Sequence, residues 1–151
     1  MGILLSDVFN PLSIKLNLGS KTKEEVFIEL AEAIMSDHPE CDRASLLASL
    51  WERENKLNTG IVSGVAIPHT LYGGINNIAG AIGISQTGID YGAPDHKPVY
   101  VVFMLAISDK ATENHLHVLN QLFMLAQSEA IAIIRKAQNT TTVKDILSHF
   151  Q

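Results

Sequence analysis

One cysteine in 151 residues, Cys41, cannot close an internal disulfide, so the chain carries no covalent framework and suits a reducing compartment. Long apolar runs are also missing. Val99 to Ile107 is the longest, far short of the roughly 20 residues a membrane-spanning helix needs. The start, Met1-Gly2-Ile3-Leu4-Leu5 followed by Ser6-Asp7, has neither a charged leader nor an extended apolar stretch. These absences predict a protein without membrane insertion, in the cytoplasm. Basic charge is scarce too: 11 Lys and Arg stand against 16 Asp and Glu, a formal charge of −5, which leaves no footprint for nucleic acid. No GxxxxGK[ST], HExxH, CxxC or GxSxG pattern occurs, and with them go the chemistries those patterns serve.

Hydrophobic residues make up 46% of the chain and charged residues 18%, enough apolar surface for one hydrophobic core. No repeat, low-complexity tract or linker divides residues 1–151, which read as a single domain. Ile14, Leu16 and Leu18 alternate with polar residues, as in a half-buried strand. Ser20 or Thr22 can cap a helix with Glu24 and Glu25 in its first turn and Val26, Phe27, Leu30, Ala31 and Ile34 as its apolar stripe, stopped by Pro39. A second helix starts near Asp42 and buries Leu46, Leu47, Leu50 and Trp51. Asn58, Gly60 and Gly64 mark a loop. Val65-Ala66-Ile67 reads as a short strand ending at Pro68, and further strands are expected at 78–85 and 99–107, the latter buried on both faces. The last third is helical: Leu116, Leu119, Phe123 and Ala126, then Ala130, Ile133, Ile134 and Ala137, then a short helix capped by Thr142 and containing Val143, Ile146 and Leu147. Strands mixed with helices, without strict alternation, predict an α/β layered domain with a mixed sheet.

Among six histidines, His69 has the most distinctive setting. Pro68 fixes its own φ and holds Ile67 extended, so His69 is displayed where a rigid strand gives way to Thr70, Leu71, Tyr72 and a Gly73-Gly74 turn. The bland alternative is a loop histidine bonded to backbone. His115 falls in the first turn of a helix, with Thr112 or Asn114 as cap, where the helix dipole favours a neutral imidazole and attracts anions. Its alternative is a solvated first-turn residue, and His117, two residues on, reads as surface because it cannot share that face. Arg53 closes an amphipathic helix. Its planar fork fits phosphate oxygens, yet it can equally serve the negative helix end. Thr59-Gly60 can offer donors to phosphate or be an ordinary turn. His38, His96 and His149 lack ligand spacing, and no metal site is expected.

The stretch Glu52-Arg53-Glu54, followed by Asn58-Thr59-Gly60-Ile61-Val62-Ser63-Gly64-Val65-Ala66-Ile67-Pro68-His69, resembles the enzyme IIA family of bacterial sugar phosphotransferase systems, of the fructose, mannitol and nitrogen-related type. Asn114-His115-Leu116 is a second match, and Gly88-Ile89-Asp90-Tyr91 with 99–105 fits the family's strand pair. Asp95-His96-Lys97 departs from the family's usual acidic–glycine turn. The resemblance runs from about Leu12 to Phe150. It implies a mixed five-stranded sheet with helices on both faces and a phosphocarrier. HPr would donate a phosphoryl group to His69, enzyme IIB would accept it, and a membrane IIC component would be served indirectly. It implies His115 and Arg53 as partners of His69, Thr59 and Gly60 as phosphate-binding, and no cofactor. An apolar docking face is expected from Ile61, Leu71 and Tyr72. A nitrogen-related regulator of the same fold shares His69. A metal-dependent hydrolase built on His69, His115 and His117 is a rival that lacks a well-spaced carboxylate.

Overall fold

A computed structural model describes residues 3–150. A short helix α1 (Leu5–Val8) leads into β1 (Phe9–Lys15), and α2 (Lys23–Asp37) and α3 (Arg43–Lys56) follow. Next come β2 (Val65–Ala66), β3 (His69–Tyr72), β4 (Ile78–Ile89) and β5 (Val99–Ser108), then α4 (Glu113–Ala126), α5 (Ala130–Arg135) and α6 (Thr140–His149). The sheet has five strands in the order β1-β4-β5-β2, with β3 also paired to β5. β4 and β5 are antiparallel and the other pairs parallel, so the sheet is mixed as expected.

β2 and β3 are two halves of one edge strand. Val65 lies opposite Val101 and His69 opposite Leu105, so the register passes the break unchanged. Pro68 sits at that break and has no N–H for a ladder, which an edge strand tolerates. Its carbonyl still accepts from Leu105 N at 3.0 Å. β5 runs through the middle with almost every side chain buried, because helices cover both faces. On one face α2 and α3 pack over Phe27, Leu30, Leu46 and Met104. On the other, α1 and the three C-terminal helices pack over Phe9, Phe103, Val118 and Leu122.

Several local expectations shift. Thr22, not Ser20, caps α2: its hydroxyl accepts from Glu25 N while Glu25 Oε1 accepts from Thr22 N, a reciprocal box. Ser20 instead donates its hydroxyl to Glu29. The strand expected at 14–18 lies earlier, at Phe9–Lys15. Leu18 is buried all the same, because it packs over Gly83 and its N–H reaches Ile84 O at 2.9 Å. The helix α6 is capped by Asn139, whose Oδ1 accepts from Thr142 N, which places Thr142 inside the first turn. Within α5, Ile134 is buried but Ile133 is exposed, so only part of the expected stripe faces the core.

Candidate functional site

The site begins with the strand halves. His69 opens β3, so the chain does not leave the sheet at Pro68 but continues for four residues. Side chains alternate across a strand, and here Thr70 and Tyr72 turn inward while His69 and Leu71 turn to the other side. Thr70 Oγ1 and Ser49 Oγ meet at 2.6 Å, which fastens the inward side to α3.

The imidazole of His69 is half-buried. Its Nδ1 lies 2.7 Å from Ile67 O, and a carbonyl only accepts, so in the neutral ring the proton sits on Nδ1 and the lone pair on Nε2. The ring meets Phe123 of α4 edge-on, with centroids 6.4 Å apart and planes at 90°. Burial pulls the imidazole below its ordinary value of 6.5; the Ile67 carbonyl opposes this, the Arg53 charge adds to it and the Glu54 charge opposes it. The net effect favours the neutral ring. Phe123 reads in sequence only as part of a helical stripe, and nothing local marks it as a neighbour of His69.

Arg53, in the last turn of α3, donates to Leu57 O at 2.9 Å. It therefore serves the helix end, and its charge also reaches His69. Ser49, Glu52, Arg53, Lys56, Thr70 and Leu71 line an open groove of about 280 Å³ beside the edge strand.

His115 is 8% exposed, at the third position of α4, two turns before Phe123 on the same helix. Its Nδ1 accepts from Thr112 N at 2.9 Å, which leaves Nε2–H to donate to Asn77 Oδ1 at 2.9 Å. Both ring nitrogens are thus engaged away from His69, and the ring is oriented rather than solvated. His117 is exposed. Among the described residues no group of three or more His, Cys, Asp or Glu could hold a metal ion.

Thr59 and Gly60 do not present free donors. Thr59 N and Oγ1 donate to the two carboxylate oxygens of Glu54 at 2.8 and 2.6 Å, and Gly60 N donates to Asn58 Oδ1 at 2.7 Å. The loop is a braced element, and the expectation of phosphate donors there meets donors already engaged. Glu54 was not singled out by the sequence reading. It is 4% exposed and paired with Lys23 Nζ at 2.8 Å. Tyr91 closes the cluster: its hydroxyl meets Thr59 Oγ1 at 2.7 Å, and burial first, then the Glu54 charge, pushes its ionisation far up.

Of the three expected docking residues, Ile61 and Leu71 are 55% and 57% exposed. Tyr72 is not: only 7% exposed, its hydroxyl accepts from Asp42 N at 3.1 Å and meets Ser45 Oγ at 2.6 Å. The period of two puts it opposite Leu71, into the α3 layer.

The mixed five-stranded sheet with its helices matches the fold of solved phosphotransferase-system IIA domains. Residues 7–150 match the family model described as phosphoenolpyruvate-dependent sugar phosphotransferase system, EIIA 2, and the chain belongs to that family. Its relatives divide in their names. The fructose-specific EIIABC component of Bacillus subtilis is 32% identical over 145 residues, 95% of this chain but 23% of that protein. A nitrogen regulatory protein of Pseudomonas aeruginosa is 28% identical over 150 residues, covering 99% of this chain and 97% of the relative. Among solved structures, nitrogen regulatory protein IIA-Ntr of Neisseria meningitidis superposes with a TM-score of 0.87 at 27% identity, over 95% of this chain and 98% of that one. The mannitol IIA of Escherichia coli, solved in complex with phosphorylated enzyme IIB, has a TM-score of 0.78 at 16% identity, over 93% and 99%, a likeness of fold. No helix among the described residues is long and apolar enough to cross a membrane.

Proposed function

We propose that this protein is a phosphocarrier that takes a phosphoryl group from phospho-HPr onto Nε2 of His69 and hands it to an enzyme IIB, serving sugar uptake through a membrane IIC component. The observation that carries the reading is the bond from His69 Nδ1–H to Ile67 O, which leaves a directed lone pair on Nε2 at the surface edge of the sheet. In the transfer, that lone pair attacks the donor's phosphorus, the donor's N–P bond breaks, and its electron pair returns to the donor. The Nδ1 proton stays in place. The phosphorylated ring then carries positive charge against the Ile67 carbonyl and leaves as a neutral imidazole when the next acceptor attacks, which keeps the N–P bond transferable.

Phosphoryl transfer needs positioning and charge neutralisation more than covalent help. Arg53 supplies positive charge next to His69 and a fork that suits phosphoryl oxygens once it releases Leu57 O. His115 supplies Nε2–H once it turns from Asn77 Oδ1. Thr59 and Gly60 act by shaping the loop. Ile61 and Leu71 form the apolar part of the docking face. No cofactor enters this scheme. The test is intact-mass analysis after incubation with phosphoenolpyruvate, enzyme I and HPr. One acid-labile phosphoryl group is expected, absent in His69→Ala and slower to appear in His115→Ala. Unchanged phosphorylation of His69→Ala would remove the assignment.

The likeness to the Neisseria IIA-Ntr structure supports a second reading, a nitrogen-related regulator whose phosphorylation state controls partner proteins. It shares the first step and parts at the second. Rapid discharge to a fructose-type IIB favours the sugar carrier, and retention of the phosphoryl group in its presence favours the regulator.

A further inference from the structure

An unbroken chain of hydrogen bonds joins a buried ion pair to the imidazole of His69. Lys23 Nζ, at the start of α2, pairs with Glu54 Oε2 at 2.8 Å. Glu54, in the last turn of α3, accepts both Thr59 donors at 2.8 and 2.6 Å. The carbonyl of Thr59 accepts from Ile67 N at 3.3 Å, and the carbonyl of Ile67 accepts from His69 Nδ1 at 2.7 Å. Each link uses a group that would otherwise be a buried unpaired donor or acceptor, so the chain is costly to break at any point.

We propose that Glu54 is a positioning residue for the phosphoryl-transfer site: held by Lys23, it fixes Thr59, and through Thr59 and Ile67 it fixes the tautomer and direction of His69. The inference rests on His69 being the phosphoryl acceptor. A carboxylate suits the task because it offers two acceptor oxygens and no donor, one oxygen for each Thr59 donor. Lys23 makes such a carboxylate tolerable at 4% exposure: its ammonium also stands 4.5 Å from the centre of the Tyr91 ring, a second favourable contact for the cation. Tyr91 adds its hydroxyl to Thr59, so the loop is gripped from α3 and from the segment after β4 together. Asn58 extends the same grip, donating Nδ2 to Gly92 O at 3.0 Å. Three elements distant in sequence thus converge on one loop, and that loop's carbonyl is the anchor for the residue two before His69.

The experiment compares wild type with Glu54→Gln, which keeps the size of the side chain but can satisfy only one of the two Thr59 donors. Two readouts are taken. The first is nitrogen NMR of His69 in the unphosphorylated protein, which distinguishes Nδ1–H from Nε2–H and needs no donor protein. The second is the rate of phosphorylation at saturating phospho-HPr. Expected are a single Nδ1–H tautomer in wild type, a mixture in Glu54→Gln, and a saturating rate reduced about tenfold or more, since small misplacement of a reacting group is expensive. The HPr concentration at half-maximal rate is expected to stay unchanged. A folded Glu54→Gln with the wild-type tautomer and saturating rate overturns the proposal. If Glu54→Gln does not fold, Thr59→Val and Thr59→Ser replace it. The valine variant should mix the tautomers, and the serine variant should restore the wild-type pattern. Identical behaviour of both with wild type overturns the proposal equally. Absence of phosphorylation in wild type would remove the functional reading alone, since the tautomer comparison stands without it.

Discussion

The Nδ1 atom of His69 and the carbonyl of Ile67 stand 2.7 Å apart, two residues along the same chain, with Pro68 between them. The contact is local, yet it decides a chemical property of the ring, because a carbonyl can hold only a protonated nitrogen. Pro68 makes the local geometry reproducible: its fixed φ and its effect on Ile67 restrict the backbone on both sides of the peptide. The group that directly sets the lone pair on Nε2 is therefore a backbone carbonyl.

A first prediction concerns pH. Burial of His69 outweighs the pull of the Ile67 carbonyl, so its imidazole titrates below 6.5 and stays neutral at pH 7. The folded protein therefore binds the proton less readily than the unfolded chain does. The stability this contributes is present above the unfolded value of 6.5 and is lost as pH falls through the lower folded value. Titration of the His69 ring by NMR should give a midpoint below 6.5. A midpoint above 7 would show that the surroundings favour the cation, and the neutral nucleophile would lose its basis.

A second prediction separates His115 from its support. Asn77 accepts the Nε2–H of His115 from 38 positions away in sequence, so the two are joined only by the fold. Asn77→Ala should free that donor and destabilise the protein by about 1 kcal/mol, the net worth of one such bond. If His115 works by turning toward a phosphoryl group, Asn77→Ala should phosphorylate no more slowly than wild type. A slowing as large as that of His115→Ala would mean that the Asn77-bound orientation itself is the working one.

What could be read from the sequence was local in origin. The α2 stripe from Val26 to Ile34 and its cap candidates Ser20 and Thr22 lie within a short stretch of chain, and so does the continuous apolar run of β5. The His69 block and Arg53 were legible as a motif, and the mixed sheet followed from the order of strands and helices. What escaped was tertiary. Leu18 looks like a strand residue because it is buried, but it is buried over Gly83, outside the strand. Tyr72 was expected on the docking face with Leu71, whereas two-residue alternation turns it to α3. Glu54 stood in the quoted stretch without a role, since its ion-pair partner Lys23 comes from α2 and the Tyr91 hydroxyl that meets Thr59 comes from beyond β4. His115 was placed correctly on its helix, but no pattern announces Asn77.

A third prediction uses the alternation on β3. Leu71 and Tyr72 are neighbours in sequence and point to opposite sides of the strand. Leu71→Ser removes exposed apolar surface and should leave the melting temperature nearly unchanged while weakening HPr binding. Tyr72→Phe removes the hydroxyl held by Asp42 and Ser45 and should cost about 1 kcal/mol, with phosphorylation kinetics unaltered. Denaturant titration and saturation kinetics of the two variants test both halves. A stability loss in the Leu71 variant, or a kinetic defect in the Tyr72 variant, would contradict the division of the strand into a docking face and a packing face.

The last prediction concerns Gly60, a loop residue packed closely on three sides. A Cβ there would lie 3.0 Å from Asn58 Oδ1 and 3.1 Å from both Ala93 Cβ and Tyr91 Cδ2. Two of those atoms belong to the segment after β4, and the third belongs to the side chain that accepts from Gly60 N. Relief requires either the loop to lift from Tyr91 or Asn58 to give up its contacts. Overpacking of this kind costs about 1–3 kcal/mol. Gly60→Ala should therefore be destabilised by that order in denaturant titration. Because the loop also anchors Ile67 through Thr59 O, phosphorylation should slow along with the loss of stability. Gly88→Ala is the control, since it lies outside the loop's hydrogen bonds, while its φ of +97° and a Cβ 2.9 Å from Pro98 Cβ make the substitution strained. It should lose stability without a matching fall in the phosphorylation rate of the folded fraction. If Gly60→Ala behaves the same way, folded molecules transferring at the wild-type rate, the loop does not govern His69.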